Sequence, residues 1–157
     1  MDNDRLSAAE MADILHQASS IYLSANLPRD YGTGELYTAV EVHMLKYIVD
    51  HPGKTLTELS YDWDKTKASL SQMLKKLESK GLIYHSSAPD SMRKQLYYTT
   101  PEGTLLNSAH EEYDNKTFGV TLDTVRKTCT EEEISCCFKV LRSYAEAQRQ
   151  KHYRSDK

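Results

Sequence analysis

Between Thr55 and Gly81 the chain reads TLTELSYDWDKTKASLSQMLKKLESKG, and this stretch constrains the fold more than any other. Thr55 and Glu58 are spaced for a capping box, in which each side chain satisfies a backbone amide of the other residue. A short helix is therefore expected to start there and to end at Trp63, whose indole closes the small core against the next helix. After a tight break, Thr66 is placed to cap a longer helix. Leu70, Leu74 and Leu77 recur on it at helical spacing, so one face is anchored in a core. Lys67, Ser69, Ser71, Gln72, Lys75 and Lys76 occupy the rest of its surface. This is a helix-turn-helix pattern, with a second helix suited to a DNA major groove. An ordinary amphipathic helix with a solvated face carries the same pattern, so the residues beyond Gly81 decide between the two.

Two β-prone runs come next, Leu82–Ser87 and Gln95–Thr100, around a turn rich in Pro, Asp and Ser. That is a hairpin signal. Arg93 and Lys94 are expected in its loop, a tip suited to phosphates or to the minor groove. Neither half is specific alone. Their order and short spacing predict a winged helix.

From about Tyr37 to Leu106 the chain resembles the MarR-type winged-helix transcription regulators. The resemblance rests on His-Pro-Gly at 51–53, Leu-Thr-Glu-Leu at 56–59, Leu-Glu-Ser-Lys-Gly-Leu-Ile at 77–83, Arg93, and Thr-Thr-Pro-Glu-Gly at 99–103. It departs at Tyr84, where the family often has Arg. It departs again at Ser91, which stands at the acidic position of the family's Asp-x-Arg pair, with Asp90 one residue early. The resemblance implies a mainly α fold with a small β-hairpin wing and terminal dimerisation helices. It also implies a homodimeric repressor of double-stranded DNA, reading an imperfect palindrome and tuned by a small-molecule effector or a metal.

The charge distribution suits that reading. Net charge is −3, but residues 54–94 hold eight Lys/Arg against five Asp/Glu, so an acidic body carries a basic segment. At 157 residues the chain is expected to form one domain: a DNA-binding lobe over about 38–100, and dimerisation helices over about 7–26 and 101–150. No run reaches membrane-span length and no signal-peptide core is present, so a cytoplasmic protein without a membrane partner is expected. Cys129, Cys136 and Cys137 lack metal-type spacing and read as small buried residues, with a redox thiol as the alternative.

Capping boxes mark four helix starts: Ser7 with Glu10, Thr38 with Glu41, Thr55 with Glu58, and Thr130 with Glu133. The first helix is expected over Ala8–Ala25, with Met11, Ile14, Leu15, Ala18 and Tyr22 as its stripe. A loop over Asn26–Tyr37 comes after it. The next helix carries Val40, Met44, Leu45 and Ile48. Pro101 opens a long helix bearing Leu105, Leu106, Ala109 and Tyr113, disturbed at Gly119 and reaching Thr128. The last helix runs from Thr130 to Gln150 with Ile134, Phe138, Leu141 and Ala145, leaving a polar tail from His152. The terminal stripes need a partner. A two-fold copy is the simplest one, and it would set two recognition helices about 34 Å apart; packing against the protomer's own core is the alternative.

No phosphate loop, nucleophile elbow or HExxH motif is present, so an enzyme is not expected. A winged-helix protein-interaction module and a metal-dependent enzyme are the rival classes. No cofactor is required. A regulatory divalent site is nevertheless suggested by His43, His110 and Asp114, the last two four apart on one helix face. The resemblance adds that zinc-sensing members carry His at the positions of His43 and His110, and a further His at that of Asp114. Asp30 or Glu35 is the expected fourth ligand, since Glu41 belongs to its capping box. A hydrogen-bonded His43 beside a solvated His110–Asp114 pair is the alternative. Tyr22, Tyr31, Tyr37 and Tyr113 are candidates to line an effector pocket.

Overall fold

Each of the four Ser/Thr-x-x-Glu sequences opens a helix. The Glu carboxylates accept from the backbone amides of Ser7, Thr38, Thr55 and Thr130 at 2.8 Å, and the Ser and Thr hydroxyls accept in return from the Glu amides. The computed structural model describes residues 5–24, 27–89 and 91–155. The helices are α1 (Ala8–Ser24), α2 (Ala39–Asp50), α3 (Leu56–Asp62), α4 (Lys67–Ser79), α5 (Pro101–Val125) and α6 (Glu131–Ser155). Ala25 and Asn26, at the expected end of the first helix and start of the loop, lie outside the described residues.

The core forms where α2, α3, α4 and the start of α5 meet the wing sheet. Met44, Leu45 and Ile48 of α2, Leu59 of α3, Leu70, Leu74 and Leu77 of α4, and Leu106 of α5 are all buried there with Ile83 and Tyr97. Trp63 caps α3 and packs half-buried on this cluster, its ring edge-on to Tyr47 at 6.0 Å. Two expected core residues face outward instead. Val40 lies about 105° around α2 from the line through Glu41, Leu45 and Ile48, and Val42 is buried in its place. Leu105 lies about 150° from the buried side of α5, which is formed by Gly103, Leu106, Asn107 and His110.

The wing has three strands in the order β3-β5-β4, from β3 (Lys54–Thr55), β4 (Ile83–Ala88) and β5 (Ser91–Thr99). All pairs are antiparallel, with Tyr97 opposite both Lys54 and His85. Ser87 pairs with Gln95 but Ala88 with Ser91, so residues 92–94 form an excess on β5. Arg93 and Lys94 therefore stand on a bulged strand, not in the turn. The expected loop before α2 contains a second, smaller hairpin, β1 (Arg29–Asp30) with β2 (Leu36–Tyr37). Asp30 holds its turn: one carboxylate oxygen accepts from the amides of Gly32, Thr33 and Gly34.

The outer helices differ from expectation in length. α5 passes through Gly119 without a break and ends at Val125, and α6 continues past Gln150 to Ser155. Within the protomer α1 buries nothing, and Ile14, Ile21, Leu23, Phe138, Val140 and Tyr144 are exposed. Cys136 and Cys137 are exposed on α6 and Cys129 is half-buried, so none is a core residue of the protomer. Among the described residues no helix is long and apolar enough to cross a membrane.

Candidate nucleic-acid interface and effector site

Thr66 caps α4 through its hydroxyl, which accepts from the Ser69 amide at 3.2 Å. Beyond that cap the helix turns about 100° per residue, so burial of Leu70, Leu74 and Leu77 decides what faces away. Lys67, Ser69, Gln72 and Lys75 are exposed, and Ser71 is half-buried on the flank. On the adjoining wing Arg93 and Lys94 are also exposed. Lys67, Lys75 and Arg93 have no ion-pair partner among the described residues. Asp90, the acid one residue before the family's pair position, lies outside them. Glu78 of α4 meets His85 Nδ1 on β4 at 2.5 Å, tying helix and wing together.

Lys76 is used differently from expectation. Its ammonium lies 3.0 Å from Oε1 of Glu41, a carboxylate buried to 4% exposure, and Lys80 approaches the same oxygen at 3.8 Å. Burial alone would push the Glu41 carboxyl up. The Thr38 amide and hydroxyl and the Lys76 ammonium outweigh it and hold the group below the usual carboxylate range. Lys80 also donates to the Leu36 carbonyl at 3.2 Å and stands 4.1 Å over the Tyr37 ring. Sequence reasoning assigned Glu41 to its cap alone, because nothing local reveals a cation arriving from another helix.

His43, His110 and Asp114 come together between α2 and α5, with ligand atoms all within 4.8 Å of one another. The two rings meet edge-on at 4.8 Å, and His110 Nε2 lies 3.1 Å from Asp114 Oδ2. Burial lowers the His110 pKa against the pull of Asp114, and His43 lowers it further, which favours the neutral ring. A neutral imidazole has a lone pair to give. Buried Nδ1 of His110 has no hydrogen-bond partner among the described residues. Two imidazoles and a carboxylate are a donor set for zinc or a similar divalent ion, whose tetrahedral ligands stand about 3.3 Å apart. Binding would draw these donors inward. Of the residues suggested as a fourth ligand, Asp30 accepts from the amides of its own turn, and Glu35 pairs with Lys80 at 3.6 Å.

Three of the four singled-out tyrosines surround this cluster. Tyr31 packs edge-on against His110 at 5.4 Å and Tyr113 at 5.7 Å, and the Tyr22 hydroxyl is 3.5 Å from His43 Nε2. Tyr37 is buried in the core under Lys80 instead. An open cleft of about 390 Å³ borders the cluster, lined by His43, Lys46, Glu111, Asp114 and Asn115. Lys46 crosses it to Glu111 at 2.6 Å.

Residues 37–94, spanning the helix-turn-helix and most of the wing, match the family model for the MarR family. This segment is thus similar to the MarR family over somewhat more than a third of the chain. The uncharacterized HTH-type transcriptional regulator YhjH of Bacillus subtilis (strain 168) is 26% identical over 114 residues, covering 67% of this chain. The matched segment spans 65% of that relative's length. The transcriptional regulator SlyA superposes with a TM-score of 0.70 at 16% identity, covering 90% of this chain and 94% of its own. The zinc-responsive MarR family member ZitR of Lactococcus lactis gives 0.60 at 20% identity over 88% and 99%. The MarR-type fold thus extends from the lobe to the helices that flank it.

Proposed function

We propose that the protein is a homodimeric, sequence-specific DNA-binding transcription regulator, a repressor whose operator affinity is set by a divalent metal or small ligand between α2 and α5. The observation that carries the DNA reading is the pairing of α4, with its exposed Lys67, Ser69, Gln72 and Lys75, with the wing bearing Arg93 and Lys94. Lys67, Lys75, Arg93 and Lys94 neutralise phosphates, while Gln72 and Ser69 read base edges. Thr66 and Ser71 orient the helix start and its flank. Lys76 contributes to phosphate binding only when it leaves Glu41.

Dimerisation is supported by the exposed apolar residues of α1, α5 and α6, a surface that a soluble monomer rarely leaves open. The two parts of the domain then divide the work: the lobe over about 38–100 reads DNA, and the helices over about 7–26 and 101–150 join two copies. The metal reading is supported by neutral, buried His110 beside His43 and Asp114, and by the likeness to ZitR. A bound cation would supply positive charge there, and those three residues would hold it. No cofactor is needed for folding or for DNA contact on this reading.

Selection from a random duplex library by the full chain tests the DNA reading. An inverted-repeat consensus is expected, with log Kd rising with log salt by about 0.9 for each phosphate contacted. Retention of all sequences alike, at a strength indifferent to salt, would remove it. For the metal, zinc added to chelator-stripped protein should raise the melting temperature and change operator affinity, and His110→Ala should abolish both. Unchanged melting and binding with zinc, iron, manganese and nickel would remove that part alone.

A further inference from the structure

Every polar side chain on α4 has an evident task, but one exposed position is apolar. Measured around the helix from the buried Leu70, Leu74 and Leu77, only Ala68, Gln72 and Ser79 lie within about 30° of the opposite direction. Ser79 is in the last turn, where its hydroxyl donates to the Lys76 carbonyl. In the first half of the helix, which a recognition helix offers to base edges, the outward line consists of Ala68 and Gln72. Both are exposed. They are four residues apart, hence about 6 Å along the axis, and so reach base pairs within about two steps of one another.

The major-groove edges present donors and acceptors at every base pair, and one apolar feature, the C5 methyl of thymine. An alanine methyl facing donors and acceptors strips water from them and returns no hydrogen bond. Facing a thymine methyl, it buries two apolar groups against each other. Gln72, one turn on, has the amide that pairs with N6 and N7 of adenine. We propose that Ala68 is a specificity-determining residue whose methyl packs on a thymine C5 methyl in each half-site, beside an adenine read by Gln72. This rests on the DNA-binding reading above. It deepens that reading by naming the chemistry the first turn of α4 selects.

Alanine is also the best helix former, so an experiment must separate recognition from propensity. Replacing thymine by deoxyuridine removes only the methyl. With the selected duplex in hand, each thymine is replaced in turn, and Kd is measured for the full chain and for Ala68→Gly and Ala68→Ser. The readout is the ratio of Kd on the uracil duplex to Kd on the thymine duplex, which a weakened helix start does not move. At one thymine per half-site the unmodified chain should lose about fourfold, and about fifteenfold when both half-sites are changed. In Ala68→Gly the ratio should fall to about one. A chain indifferent to uracil at every thymine, or an unchanged ratio in Ala68→Gly, overturns the proposal and leaves sequence-specific binding standing. Selection that yields no preferred sequence overturns the DNA reading and the proposal with it.

Discussion

A Cβ added at Gly103 would stand 2.0 Å from the Leu82 carbonyl oxygen, so α5 approaches the start of the wing only because that atom is missing. The same helix carries Gly119, where nothing lies within 4 Å. The two positions should respond oppositely to alanine. Gly103→Ala should lower stability by about 1–3 kcal/mol through overpacking. Gly119→Ala should raise it by about 0.5–1 kcal/mol, because alanine restricts the unfolded chain and favours helix. Urea unfolding of both variants checks this, and equal effects would contradict the packing described. The sequence motif around Gly103 was legible, but its reason was not: a close approach to residue 82 is invisible in local pattern. The disturbance expected at Gly119 is absent for a related reason, since about 1 kcal/mol of lost propensity is too little to perturb a 25-residue helix.

At the scale of elements, helix starts were legible because a capping box is written entirely within four residues. The small hairpin before α2 and the bulge on β5 were not. Two-residue strands carry no periodicity, and the bulge depends on a register that only pairing reveals. The capping boxes have an acid signature. In the folded chain the carboxyls of Glu10, Glu41, Glu58 and Glu133 all lie below their ordinary value. For Glu58 and Glu133 the cause is the hydroxyl and amide of the capping Thr; for Glu41 the same bonds and Lys76 overcome its burial. A folded pKa below the unfolded one means the unfolded chain takes up protons first. Stability is therefore full above about pH 4.5 and is lost as pH falls through the depressed folded values. Helix loss followed by circular dichroism should track that window, and Glu58→Gln should flatten its slope. The Glu41–Lys76 bridge makes a second prediction. Glu41→Gln keeps an amide able to complete the cap but releases Lys76, so DNA binding should tighten at low salt and the salt slope should steepen by about 0.9. An unaltered slope would mean that Lys76 does not turn to phosphate.

For the molecule as a whole, the proposed function makes the exposed apolar surface of α1 and α6 the link between oligomeric state and DNA geometry. The stripes of these helices were legible from the sequence as surfaces in need of a partner, and Phe118 of α5 meets Phe138 of the α6 stripe edge-on at 6.3 Å. What the chain alone could not convey is how little of α1 its own protomer covers. Removal of residues 1–24 should yield a monomer or an insoluble protein that binds DNA weakly, because the second half-site no longer acts at high effective concentration. Sedimentation equilibrium of the intact chain at micromolar concentration should give a dimer. The most direct test of the account is hydroxyl-radical footprinting of that dimer on its selected duplex. Two protected segments should appear on one face of the DNA, about 10 base pairs apart centre to centre, with two chains bound per duplex. A single protected segment, or one chain per duplex at saturation, would contradict it.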